Sequence, residues 1–163
     1  MSLKIIENSI SKDSLQSIKN TIYSNSFPWY INLGVNTTND GYIQFCHTFY
    51  NSFTPNSEHF TLLAPIIELL NPLSIIRIKA NLLTKTDKII KHGMHIDQKF
   101  KSSTAIFYIN TNNGFTEFED GTKVLSKENK LIIFDNFIKH TGTSCTDTNE
   151  RIVINFNYIK KIK

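Results

Sequence analysis

At 163 residues, with 40% hydrophobic and 20% charged residues, the chain suits one domain, residues 1–163, built around a single core. No run approaches the eighteen or so apolar residues of a membrane-spanning helix, and the opening MSLKIIENSISKD lacks the apolar core of a signal peptide. The net charge of +4 comes from scattered lysines rather than a dense basic block interleaved with aromatics, which argues against a nucleic-acid surface and for a soluble protein.

The elements follow in chain order. Ser11 to Ser24 reads as a helix: Ser11 supplies the cap, and Leu15, Ile18 and Ile22 recur at helical spacing. Phe27 to Pro55, rich in aromatics, Asn, Thr and Gly, reads as loops and a short hairpin. Asn56 to Leu70 reads as a second helix, capped by Ser57, with Phe60, Leu63, Ile67 and Leu70 on its apolar face. Pro72 stops it.

After Pro72 the period changes to two. Ile76, Ile78, Ala80 and Leu82 alternate with Arg77, Lys79, Asn81 and Leu83. Thr104 to Asn110 alternates again, then Gly114 to Glu119. Asp120-Gly121 signals a hairpin turn, since glycine reaches positive φ cheaply. Leu131 to Asp135 and Arg151 to Tyr158 are further strands. Helices followed by short antiparallel strands predict an α+β fold, a sandwich or barrel with helices packed outside.

The cysteines, Cys46 and Cys145, carry no pairing or metal-binding spacing, so a reducing, cytoplasmic compartment is expected. Among the basic residues only Arg77 and Arg151 are arginine. In a lysine-biased chain, an arginine marks a place where a planar fork for carboxylate or phosphate is wanted.

The chemistry concentrates in HGMHIDQKF, His92 to Phe100. Alone, a His-x-Asp pair reads as readily as a polar strand edge. On a strand, however, His95 and Asp97 share a face and can chelate one ion. A third ligand is needed, and His140, between the strand ending at Asp135 and the turn Thr141-Gly142, is the candidate. Two imidazoles and one carboxylate on one side of an ion leave other positions open, the arrangement of non-haem Fe(II) and O₂ chemistry. Zinc also accepts this set, although zinc proteases place two histidines four apart on a helix, a spacing absent here. Arg151 follows eleven residues after His140. The Ser144 to Asn149 loop would fold its strand back beside that of His140, with Arg151, Val153 and Asn155 facing inward and Ile152, Ile154 and Phe156 outward.

This ordered set resembles the 2-oxoglutarate- and Fe(II)-dependent oxygenases, particularly small prolyl-4-hydroxylase-like members, and most closely those encoded by marine phages. The resemblance covers most of the chain: FPWYI, RIKANLLTKTD, HIDQKFKSSTAIFYINTNNGFTEFEDGTKV and FIKHTGTSCTDTNERIVINFNY all look like that group. It implies a double-stranded β-helix (jelly roll) with supporting N-terminal helices. His95, Asp97 and His140 match the iron ligands, and Arg151 the basic partner of the distal carboxylate of 2-oxoglutarate. Tyr108 matches a tyrosine that supports that carboxylate, and Asn81 a residue lining the cosubstrate pocket.

The implied reaction uses Fe(II), 2-oxoglutarate and O₂ to hydroxylate a substrate that the sequence leaves open: a peptidyl proline or other protein side chain, a nucleobase or a small metabolite. The intact Asp97 sets the chain apart from halogenating relatives, which replace this carboxylate with a small residue. Two other classes stay open: a cupin-like metal protein without 2-oxoglutarate, and a non-catalytic jelly-roll binding module. The remaining polar residues have blander readings. His92, three residues from His95, is expected at the surface facing away. His47 and His59 are expected as ordinary polar positions, and Glu117 and Glu119 as a solvated strand face.

Overall fold

In the computed structural model, which describes residues 2–37 and 40–161, two antiparallel sheets face each other and the helices cover the outer face of the larger one. The first helix, α1 (Lys12–Ile22), forms as its pattern predicts. The Ser11 hydroxyl accepts from the Ser14 amide, Asp13 sits in the first turn, and Leu15, Ile18 and Ile22 are buried. Burial of each of these side chains contributes about 1.5–3 kcal/mol. Lys19 pairs with Glu128 and ties the helix to the far end of the sheet.

The expected second helix is split. A 3-10 segment (Glu58–Leu63), capped by Ser57, gives way to α2 (Ala64–Leu70). Pro65 accounts for the break: it has no amide proton, and its ring clashes with the carbonyl four residues earlier in a continuous α-helix. Asn71, at φ 43°, ends α2 in the left-handed conformation and turns the chain into the long strand β5 (Pro72–Thr84).

The Phe27 to Pro55 stretch is more regular than its composition suggests. It contains β2 (Tyr30–Asn32), the eight-residue β3 (Gln44–Asn51) and β4 (Thr54–Pro55). The polar residues of β3 find partners that composition does not reveal. The Gln44 amide donates to the carbonyls of Gly34 and Val35. His47 has Pro28 O and Ser57 Oγ at 2.8 Å.

The other strands are β1 (Lys4–Ile6), β6 (Ser103–Tyr108), β7 (Phe115–Phe118), β8 (Lys123–Leu125), β9 (Lys130–Asp135), β10 (His140–Gly142) and β11 (Glu150–Lys160). The large sheet runs β1-β9-β6-β11-β5-β3-β2, with β4 beside β3. The small one runs β10-β7-β8. The Asp120-Gly121 turn joins β7 to β8, with Gly121 at φ 85°.

Strand β11 shows how the sequence divides the layers. Ile152, Ile154 and Phe156 pack into the core beneath the helices, while Val153 packs between the sheets. The alternation predicted for Arg151 to Asn155 therefore holds. Its expected neighbour does not: β11 pairs with β5 and β6, while the His140 strand β10 lies in the opposite sheet, paired with β7. Arg151 and His140 approach across the sandwich rather than along one sheet. Both cysteines are free and buried. No helix among the described residues is long and apolar enough to cross a membrane.

Candidate metal centre and cosubstrate cavity

His95 and Asp97 do not lie on a strand. The segment between β5 and β6 is irregular, and near the site its regular pairing is reduced to isolated bridges, Lys91 to Thr143 and His95 to His140. Backbone exchange replaces strand periodicity in aligning the ligands. The His95 amide donates to the His140 carbonyl at 3.0 Å, and the His140 amide returns the bond at 3.0 Å. The buried Asn136 fixes the other side of Asp97. Its carbonyl oxygen accepts from the Gln98 amide at 2.9 Å, and its amide donates to the carbonyls of Gln98 and Phe100. This side chain carries no pattern that the sequence reading could use, and it orders the loop holding the carboxylate.

The three ligand groups converge. One donor atom from each of His95, Asp97 and His140 lies within 4.8 Å of the others. Each imidazole turns Nδ1 to a backbone carbonyl, His95 to Gly93 at 3.1 Å and His140 to Ile138 at 3.3 Å. Such a bond fixes the tautomer and leaves Nε2 with its lone pair free. His140 is buried with the Phe134 ring edge-on against it, and burial pulls its pKa below the ordinary imidazole value, which keeps it neutral and able to ligate.

Asp97 is the best supported of the three candidate ligands. Its Oδ2 accepts from the Asn157 amide at 2.8 Å and from the Thr104 hydroxyl at 3.3 Å. Arg77 approaches Oδ1 at 3.6 Å and also donates to the Asn157 carbonyl oxygen at 3.2 Å. Burial pushes the Asp97 carboxyl up, but His140, Asn157, Arg77 and His95 together outweigh it and hold the group below the usual carboxylate range. The carboxylate is thus ionised and aimed. Two imidazole nitrogens and this oxygen fit a divalent transition metal with open coordination positions.

Asn157→Ala is expected to weaken Co(II) binding by about ten- to a hundredfold, the usual cost of losing a partner that orients a ligand. Calorimetric titration of the metal-free protein checks this.

The cluster opens into a cavity of about 360 Å³, whose lining also includes Asn81, Thr116, Arg151 and Asn155. Arg151 is buried. Its Nε donates to Ser126 Oγ at 2.8 Å and its NH2 to Thr116 Oγ1 at 3.3 Å, and it has no acidic partner among the described residues. Burial lowers its pKa, the direction expected of a cation without a counter-ion. Gly114 makes room for it: a Cβ there would stand 2.6 Å from Arg151 Cδ.

Tyr108 is fully buried, and its hydroxyl donates to Thr116 Oγ1 at 2.8 Å rather than lining the cavity. Thr116 therefore accepts from both Tyr108 and Arg151, which leaves its own proton for a cavity ligand. Sequence reasoning missed Thr116 and Ser126, because a lone hydroxyl on a short strand has no distinguishing spacing. Asn81 lines the cavity and accepts from Cys46 Sγ at 3.5 Å.

Other histidines sit differently from their readings. His92 is buried, edge-on to Tyr42, and neither ring nitrogen has a hydrogen-bond partner among the described residues. His47 is buried and fully hydrogen-bonded. Glu117 is mostly buried and pairs with Lys91.

No protein-family model matches the sequence, and no curated protein matches it. Solved structures do. An oxidoreductase of the 2OG-Fe(II) oxygenase family from Burkholderia pseudomallei superposes with a TM-score of 0.67 at 14% identity, covering 98% of this chain and 85% of that one. The viral collagen prolyl hydroxylase of Paramecium bursaria Chlorella virus-1, bound to 2-oxoglutarate, gives 0.64 at 14% identity, covering 99% and 97%. A prolyl hydroxylase from Trichoplax adhaerens, in complex with a hypoxia-inducible-factor peptide fragment, gives 0.71 at 11% identity, covering 97% and 83%. Identities this low speak for fold. The chain has the double-stranded β-helix fold of the 2-oxoglutarate/Fe(II) oxygenases, and within it a His-x-Asp…His cluster faces the cavity between the sheets.

Proposed function

We propose that the protein is a non-haem Fe(II) dioxygenase that couples oxidative decarboxylation of 2-oxoglutarate to hydroxylation of a second substrate. The observation that carries this is one cavity holding both a cluster of three candidate ligands and a buried arginine with no acidic partner among the described residues. A metal-binding cupin without 2-oxoglutarate accounts for the first feature and not the second. A non-catalytic binding module has no use for an aligned ligand set.

His95, Asp97 and His140 would hold the iron, which with 2-oxoglutarate and O₂ supplies the oxidising chemistry: one oxygen atom goes to succinate, the other to the substrate C–H bond, and CO₂ is released. The protein's own groups bind and orient. Arg151 receives the distal carboxylate of 2-oxoglutarate with the fork geometry that matches it. Thr116 donates its hydroxyl proton to the same carboxylate, and Tyr108 holds Thr116 in the rotamer that makes this possible. Asn81 lines the wall beside it. The apolar residues between the sheets, Ile106 and Val153, shield this end of the cavity from water.

Succinate formation from 2-oxoglutarate and O₂ with added Fe(II), absent in the His95→Ala variant, tests the reading. A wild-type protein that binds no 2-oxoglutarate in the presence of metal would overturn it.

The Thr116 relay makes a graded prediction. Thr116→Val removes a donor to a charged group, worth about 1.5–3 kcal/mol, and should weaken 2-oxoglutarate by roughly ten- to a hundredfold. Tyr108→Phe should cost less, since it only frees Thr116. Anaerobic titration of the Fe(II) protein, following its metal-to-ligand absorption band, measures both. A larger loss in Tyr108→Phe would mean that the phenol contacts the cosubstrate directly.

A further inference from the structure

The floor of the cavity carries more positive charge than the cosubstrate reading uses. Among the described residues three cations line it, Arg77, Lys79 and Arg151, against a single acid, Asp97. Arg151 is assigned to 2-oxoglutarate, and Arg77 is committed to Asp97 and Asn157. A divalent metal and dianionic 2-oxoglutarate cancel each other, so the loaded site keeps its surplus. Lys79 is the unassigned charge. It is half-buried and makes no ion pair among the described residues.

The register places Lys79. On the β5–β11 ladder it lies opposite Asn155, with Arg77 opposite Asn157 and Leu83 opposite Arg151. Strands rise about 3.3 Å per residue, so the Lys79 backbone is about 7 Å from that of Arg77 and about 13 Å from that of Leu83. Lys79 therefore belongs to the metal end of the floor rather than to the distal-carboxylate end.

Its partner across the ladder is also unsatisfied. Asn155 Oδ1 is buried and has no hydrogen-bond donor among the described residues. An acceptor left this way costs about 1–3 kcal/mol. 2-Oxoglutarate cannot relieve it, because the dianion has no proton to donate. A free cation and a free acceptor side by side call for a ligand that brings an anion and a donor on neighbouring atoms.

We propose that the second substrate is a small acid with an N–H or O–H donor beside its carboxylate, a free α-amino acid or its hydroxy-acid counterpart, with the carboxylate on Lys79 and the donor on Asn155. This rests on the dioxygenase reading above. It makes Lys79 and Asn155 specificity-determining residues, and it disfavours an internal peptide residue, whose carboxyl group is a neutral amide.

The test uses Zn(II)-loaded protein, which cannot turn over, saturated with 2-oxoglutarate. Free L-amino acids, their carboxamides and the matching carboxylic acids without the α-amino group are screened by thermal stabilisation, and the best binder is titrated by calorimetry. A free amino acid is expected to bind at least tenfold more tightly than its amide, which lacks the anion, and than the matching acid without an α-amino group, which lacks the donor. Lys79→Met should weaken it about ten- to a hundredfold and Asn155→Leu by a smaller factor, while 2-oxoglutarate affinity, which also reports folding, changes less than twofold. The proposal is overturned if no free amino acid binds, if the amides bind equally well, or if Lys79→Met weakens 2-oxoglutarate instead. A wild-type protein that fails to bind 2-oxoglutarate in the first step would sink the dioxygenase reading itself, a distinct result.

Discussion

Asp97→Ala is expected to abolish Fe(II) binding and leave the protein folded. The carboxylate is one of the three proposed ligands, and losing a mere orienting partner already costs about ten- to a hundredfold in metal affinity, so losing the ligand itself should cost more than about a hundredfold. The fold has less at stake. Asp97 sits on an irregular segment that Asn136 anchors independently, through bonds to Gln98 and Phe100. The groups that Asp97 leaves behind can be rehydrated through the cavity, since Arg77 retains 30% side-chain exposure. A loss of about 1–3 kcal/mol follows from the missing hydrogen bonds, which lowers the melting temperature by several degrees. Anaerobic Fe(II) titration and thermal unfolding of the same metal-free samples separate the two effects. Wild-type metal affinity in the variant would remove Asp97 from the site.

The legibility of this protein differs between its layers, for physical reasons. Alternation along β5 and β11 was readable because each strand buries one face under the helices and turns the other to the cavity, so periodicity and chemistry coincide. The ligand triad was readable by residue type and order, yet the local argument for it was wrong. His95 and Asp97 converge through a reciprocal backbone bridge to His140 and the Asn136 clamp, not through strand periodicity. Short-range spacing cannot report a contact made across more than forty residues of chain.

The scarcity of arginine proved informative. Both arginines line the cavity, one beside Asp97 and one at the distal end. The hydroxyl groups of Thr116, Ser126 and Thr104 were illegible, since serine and threonine occur throughout the chain and only the packing selects these three. His92 was misread because its burial depends on a loop from a different part of the chain. Kinship to phage enzymes rests on sequence resemblance alone.

Arg151→Met is expected to move function and stability in opposite directions. Arg151 is 4% exposed, and its guanidinium reaches two hydroxyls but no acid among the described residues. A buried charge without its counter-ion is a net cost, and replacing such groups with apolar residues of similar length can be neutral or stabilising by about 1–4 kcal/mol. The ligand-free variant should therefore melt at or above the wild-type temperature, by up to several degrees. Ligand reverses the order. At a hundred times its dissociation constant, 2-oxoglutarate stabilises the wild-type protein by about 2.7 kcal/mol, whereas the variant, having lost the clamp, gains almost nothing. Arg151→Lys isolates the fork from the charge. An ammonium keeps the attraction but not the paired donors, so the KM for 2-oxoglutarate should rise about ten- to a hundredfold with Fe(II) affinity unchanged. Thermal unfolding of the three proteins with and without 2-oxoglutarate, each loaded with Zn(II), reads the stability pattern, while succinate formation at varied 2-oxoglutarate and an anaerobic Fe(II) titration read the KM and the metal affinity. A methionine variant that unfolds early yet still responds to 2-oxoglutarate would make Arg151 a structural residue, and the carboxylate clamp would have to be sought among the other cations of the cavity.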